Sequence, residues 1–219
     1  MKRRYGLMMR TRVKICGITR AEDARSAIEY GADAIGLVFF EGSPRHVTLE
    51  QAGRITAAVA PFVTVVGLFV DASPSGIRHV LEHVPLSLLQ FHGHESNDDC
   101  KGYGLPFIKS VAMKPETDLR EQIRAYPDAG GILLDAWQPQ SHGGGGQVFD
   151  WTQVPHDLEA PVILAGGLTA ANVAAAIRQV RPYAVDVSSG VESGKGIKSA
   201  GMISAFMKGV TDSDAETGD

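Results

Sequence analysis

The chain has 219 residues, 44 % of them apolar and 21 % charged, which suits one ordinary globular domain and excludes disordered, collagenous and coiled-coil classes. Its formal net charge of −4 divides unevenly into a basic head over 1–14, a mildly acidic body and an acidic end over 209–219; such a body is a poor partner for nucleic acid, whose phosphates must be neutralised by Lys and Arg. Apolar runs such as Ala57–Val66 fall far short of the roughly 20 residues of a membrane span, no apolar stretch follows Lys2, Arg3 and Arg4 to make a secretory signal, and two cysteines, Cys16 and Cys100, fit a reducing cytoplasm.

Residues 1–12 read as a disordered basic leader. After them, short β-branched and apolar runs alternate with amphipathic stretches. A strand over Val13–Cys16 is followed by a helix over Ala21–Tyr30, where Thr19 and Glu22 have capping-box spacing and Gly31 is the closing glycine. Next come a strand over Ala34–Phe39 and a helix over Leu49–Ala60, with a second capping box in Thr48 and Gln51. The pattern continues with a strand over Val63–Val70, a helix over Ser75–His83, a strand over Leu86–Phe91 and a helix over Asn97–Tyr103. A strand over Phe107–Val111 and a helix over Leu119–Ala125 follow, then a strand over Gly131–Leu134. The connection over Ala136–Pro161 has room for only a turn of helix near Asp150–Gln153. A strand over Val162–Ala165, a helix over Ala170–Val180, a strand over Ala184–Val187 and a helix over Ala200–Lys208 complete the domain, 13–208. Residues 209–219 read as a disordered acidic tail.

Eight strand–helix units with strands apolar nearly throughout predict a parallel sheet, and that number suits a closed (β/α)8 TIM barrel. A doubly wound open sheet is the alternative. In a barrel the chemistry lies on the loops after the strands.

Those strand ends carry the candidate residues. Cys16 ends the first strand just before a helix N-terminus, where a thiol can have a depressed pKa and act as base or nucleophile; a buried structural cysteine is the other reading. Arg45, after the second strand, can bind a carboxylate or be a solvated loop residue. Asp135 closes the sixth strand, where partial burial can raise its pKa and make it a general acid, or where it caps the loop. His92 and His94 lack further metal ligands nearby, and His79 and His83 lack the Glu of the metalloprotease motif and a further ligand, so no metal site is expected. Glycine is abundant, 25 residues, and shapes the loops Gly143–Gly146, Ala165-Gly166-Gly167-Leu168 and Ser188-Ser189-Gly190. The last two follow strands seven and eight, where such barrels hold a phosphate on backbone N–H groups. The expected ligand is a small phosphorylated molecule.

From Val13 to about Met207 the chain resembles the phosphoribosylanthranilate isomerases. The likeness rests on Lys14-Ile15-Cys16-Gly17-Ile18-Thr19, Ser43-Pro44-Arg45, Leu89-Gln90-Phe91-His92-Gly93, Leu134-Asp135, Leu164-Ala165-Gly166-Gly167-Leu168 and Val185-Asp186-Val187-Ser188-Ser189-Gly190-Val191-Glu192. The resemblance implies an Amadori rearrangement of N-(5′-phosphoribosyl)anthranilate in tryptophan biosynthesis, without cofactor or metal; a monomer or homodimer is expected. It implies Asp135 as acid, Cys16 as base, Arg45 on the anthranilate carboxylate, and Gly167, Ser189 and Gly190 on the phosphate. The sequence departs from the family pattern at Gln147-Val148, where a lysine usually precedes Phe149-Asp150-Trp151, at His94, where an acidic residue is common, and at Leu168–Asn172, which lacks the usual Asn-Pro turn. Two other readings are a sugar isomerase also serving histidine synthesis, which uses an aspartate where Cys16 stands, and a noncatalytic phosphosugar-binding barrel.

Overall fold

The computed structural model describes residues 10–136 and 148–216. All eight expected strands form: β1 (Arg12–Cys16), β2 (Ala34–Val38), β3 (Thr64–Phe69), β4 (Leu88–Phe91), β5 (Phe107–Met113), β6 (Ile132–Ala136), β7 (Val162–Leu164) and β8 (Ala184–Val187). Each pairs in parallel with the next, and β8 returns to β1 in the register Val185–Val13, so the sheet closes into a barrel. Around it lie α1 (Ala21–Glu29), α2 (Leu49–Thr56), α3 (Pro74–His83), α4 (Leu119–Ala125), α5 (Val173–Val180) and α6 (Ala200–Glu216).

Strand side chains alternate between two faces, and the core divides accordingly. Val13 and Ile15 of β1 belong to the large cluster packed against the helices, whereas Cys16 groups with Val38, Leu68 and Val70. A separate cluster of Ile108, Leu133, Ile163, Ala165 and Ala184 gathers residues from β5 to β8. Period-two spacing therefore sets Lys14 with Cys16, Leu133 with Asp135, and Ala184 with Asp186 on the inner face. Apolar layers below support polar groups above.

Several local expectations are corrected. No helix forms over Asn97–Tyr103: Cys100 N–H donates to the Ser96 carbonyl at 3.2 Å, completing one turn, and Gly102 and Gly104 then take φ of 84° and 76°. Cys100 is still a buried core residue. Thr19 does not cap α1, because its hydroxyl donates to the Gly196 carbonyl instead and Arg20 occupies the N-cap. The Thr48–Gln51 capping box is present in both directions. Helix α5 starts at Val173, since the Asn172 side chain ties the preceding turn by accepting from Thr169 N–H at 2.8 Å and donating to the Gly167 carbonyl at 3.0 Å.

Residues 10–12 and 209–216, the described parts of the expected leader and tail, are tied to the barrel and to each other. Thr11 donates from its backbone N–H and its hydroxyl to the two carboxylate oxygens of Asp214, at 2.8 and 2.7 Å, and Arg10 pairs with Asp33. Helix α6 therefore continues past Lys208 to Glu216, burying Val210 and Ser213. The head 1–9, the glycine loop 143–146 and Gln147 lie outside the described residues. Among the described residues no helix is long and apolar enough to cross a membrane.

Candidate active site

A cavity of about 270 Å³ opens among the loops that follow the strands, and Cys16, Arg45, Asp135, Gly167, Ser189 and Gly190 all line it. Strand closure brings them together: residues 119 positions apart in sequence face one space because both stand on the inner face at the same end of the barrel.

Cys16 is buried, and beneath it lies an ion pair absent from the expected site. Lys14 Nζ donates to Asp186 Oδ1 at 2.9 Å, with both side chains almost fully enclosed. A single unpaired charge left in such a place costs about 3–5 kcal/mol, so each group requires the other. The Lys14 ammonium also interacts with the Cys16 sulfur. Gly36 of β2 makes the close packing feasible, since a Cβ there would come within 2.8 Å of Sγ. The expected depression of the Cys16 pKa is not found. Burial pushes the thiol up, the Lys14 charge pulls it down, and Asp186 pushes it up again, for a net rise.

Asp135 makes the loop hydrogen bond that was one of the two readings left open for it. Its Oδ1 accepts the N–H of Ala136 at 2.9 Å, which fixes the carboxyl locally. Its Oδ2 lies 3.2 Å from Nε2 of His92, which belongs to the loop after β4. The imidazole is itself held, with Nδ1 3.2 Å from Gln90 Nε2 and Nε2 3.4 Å from Ser110 Oγ. With Nδ1 accepting from the Gln90 amide, Nε2 is left to carry the ring N–H that donates to Asp135 Oδ2.

The loops after β7 and β8 meet face to face. Gly166 and Gly167 have φ of 78° and 65°, and Ser189–Val191 forms a single 3-10 turn directly after β8. A Cβ on Gly190 would lie 1.9 Å from the Leu168 carbonyl oxygen, so only glycine permits this contact.

Arg45 is engaged in a way sequence reasoning missed. Its Nε and Nη2 donate to the two oxygens of Glu192 at 2.7 and 2.8 Å, a bidentate fork that fixes the guanidinium plane. Lys198 Nζ donates to the same carboxylate at 2.8 Å and to the Ser188 carbonyl at 3.1 Å. Glu192 and Lys198 come from a two-stranded hairpin, β9 (Glu192–Gly194) and β10 (Ile197–Lys198), inserted between β8 and α6. Desolvation lowers the Lys198 pKa, while its two cationic partners bring the Glu192 pKa down against its own burial. The detectable signal was an acidic residue two positions beyond the phosphate loop; nothing in the sequence paired it with Arg45.

Of the paired histidines only His92 belongs to this site. His79 and His83 do have a carboxylate beside them, Glu82, and the three ligand atoms lie within 4.8 Å of one another. All three side chains are exposed on α3 and none lines the cavity, and His83 Nδ1 lies 2.8 Å from the His79 carbonyl. His92 belongs with Asp135, and His94 is an exposed partner of Asp71.

A buried thiol over a lysine–aspartate pair, a carboxyl beside an imidazole and two glycine loops after β7 and β8 define a phosphate-loop (β/α)8 barrel equipped for proton transfer. Residues 13–209 match the model of N-(5′-phosphoribosyl)anthranilate isomerase, and the chain belongs to that family. A Pseudomonas fluorescens N-(5′-phosphoribosyl)anthranilate isomerase is 58 % identical over 203 residues, covering 93 % of this chain and 97 % of the relative. The Nitrosococcus oceani enzyme of the same name is 54 % identical over 202 residues, covering 92 % and 98 %. The crystal structure of the Thermotoga maritima phosphoribosylanthranilate isomerase superposes with a TM-score of 0.85 at 41 % identity, covering 92 % of this chain and 99 % of that one. Another, in complex with reduced 1-(o-carboxyphenylamino)-1-deoxyribulose 5-phosphate, superposes with a TM-score of 0.82 at 39 % identity over the same shares.

Proposed function

We propose that the strand-end cavity performs the family's isomerisation with Asp135 as general acid and Cys16 as general base. The chain is an aldose–ketose isomerase of tryptophan biosynthesis acting on N-(5′-phosphoribosyl)anthranilate. The observation that carries the assignment of roles is the joint exposure of one buried thiol and one oriented carboxyl to a single cavity. Asp135 gives its proton to the ribose ring oxygen, the C1′–O bond breaks, and an iminium forms. The Cys16 thiolate then removes the C2′ proton, giving an enolamine that tautomerises to the ketone. The iminium cation itself favours the thiolate at the step that needs it. The phosphate rests on N–H groups of Gly167, Ser189 and Gly190, and the anthranilate carboxylate on Arg45. The two free, buried cysteines suit a cytoplasmic setting.

The decisive assay follows loss of anthranilate-riboside fluorescence with purified protein. Turnover is expected; tight binding without turnover would favour a noncatalytic phosphosugar barrel. The pH profile tests the roles separately. Activity requires a protonated acid and a deprotonated base, so it falls only above the higher of their two pKa values. Because the Cys16 thiol lies above its ordinary value of 9.0, the descending limb of kcat/KM is expected only in the alkaline range. A descending limb near neutrality contradicts the assignment of Cys16.

Arg45 offers a further check. Lysine keeps the charge but cannot hold Glu192 and a substrate carboxylate through one planar fork. Arg45→Lys is expected to raise KM about tenfold, the equivalent of one charged hydrogen bond, with kcat much less affected. Unchanged KM values in Arg45→Lys and Arg45→Ala would remove this residue from the substrate site.

A further inference from the structure

Outside the cavity, the most enclosed charged cluster lies beneath the loop that carries His92. Lys109 stands on the outward face of β5 and Glu95 in the loop after β4; both are buried, and Nζ lies 3.2 Å from Glu95 Oε2. The same ammonium donates to the carbonyls of Gly93 at 2.7 Å, Ser110 at 3.3 Å and Phe91 at 3.4 Å. Glu95 in turn accepts the backbone N–H of Asp71 at 2.8 Å and of Gly93 at 2.9 Å. Tyr126 seals the cluster: its hydroxyl donates to the Glu95 carbonyl at 3.0 Å and its ring lies under Nζ at 5.6 Å.

Burying this pair carries a desolvation cost that an apolar pair would avoid, so stability alone does not account for it. What it secures is geometry. Its hydrogen bonds converge on the backbone on either side of His92, at Phe91 and Gly93, and tie that segment to the end of β3 and to β5. His92 is the inward residue of the same segment and sits 3.2 Å from Asp135.

We propose that Lys109 and Glu95 are positioning residues for the reaction: they set the loop after β4 so that His92 holds the Asp135 carboxyl toward the substrate. This rests on the reading of Asp135 as the acid. Neither residue reaches the cavity, and both act through His92.

Single changes leave one buried charge unpaired, so Glu95→Gln and Lys109→Met are also combined. The double variant is expected to fold, as read by its thermal midpoint and circular dichroism, because it buries no unpaired charge. Its KM should stay within about threefold of the parent while kcat falls about tenfold to a hundredfold, the scale of a misplaced catalytic group. The discriminating measurement repeats the double change in a His92→Ala background, where it should cost nothing further, since the element it positions is gone. Parent-like kcat in the folded double variant overturns the proposal, and so does a loss that adds in full to that of His92→Ala. Asp135→Asn, measured alongside, keeps the two readings apart: full activity there removes the acid itself, whereas full activity in the double variant with an inactive Asp135→Asn removes only the brace.

Discussion

Cys16→Ala is expected to lower kcat by a hundredfold to ten-thousandfold, the range typical of losing a positioned acid or base, while a product analogue still binds. The structure makes the variant a clean probe. Lys14 keeps its 2.9 Å bond to Asp186 when the sulfur is removed, so no buried charge is orphaned. Asp135→Asn is expected to act likewise. Its amide oxygen can still accept the Ala136 N–H that Oδ1 now takes, but an amide delivers no proton to the ring oxygen. Stopped-flow fluorescence at saturating substrate separates binding from chemistry in both. Two variants with parent-like kcat would end the mechanism proposed for this cavity.

Gly190→Ala should have a comparably large effect at the other end of the substrate. Its added methyl would stand 1.9 Å from the Leu168 carbonyl oxygen and 3.2 Å from a Val187 methyl, and backbone oxygen cannot swing aside as a side-chain tip can. The loops after β7 and β8 must separate, and the converging N–H groups separate with them. Affinity for a phosphorylated product analogue is expected to fall at least a hundredfold, or about 3 kcal/mol, with the rest of the barrel intact by circular dichroism. Gly194→Ala is the matched control, because its Cβ would meet nothing closer than 3.9 Å. Calorimetric titration of both variants decides it; equal affinities would place the phosphate elsewhere.

The barrel was legible because its signal is repeated. Eight apolar runs at similar spacing reinforce one another, and a boundary error of one or two residues in any of them leaves the topology unchanged. The helix expected over Asn97–Tyr103 failed where the evidence was local: Asp98, Asp99, Cys100 and Lys101 are compatible with a helix, but Gly102 and Gly104 end it after a turn. The site was legible to the extent that it stands at strand ends. Cys16, Asp135 and the two glycine loops follow from position, whereas Lys14 with Asp186, Arg45 with Glu192, and His92 with Asp135 are pairings across 172, 147 and 43 positions. Only barrel closure creates them, and no spacing rule along the chain encodes such distances. The shift of the Cys16 thiol is of the same kind, since burial against residues of β2 and of β3 and its following loop outweighs the local charge.

The clasp between Thr11 and Asp214 gives the molecule a second closure besides that of its strands. Where β1 enters the barrel, the last turns of α6 lie against it, so residues 203 positions apart in sequence meet at one place on the surface. The order in which the eight units are strung is then a matter of where the string was cut. A chain opened in another helix-to-strand connection, with residues 10 and 216 joined by a short linker, would retain every strand pair and both arms of the cavity. Such a join leaves the site untouched, because the clasp lies at the strand-start end, opposite the cavity mouth.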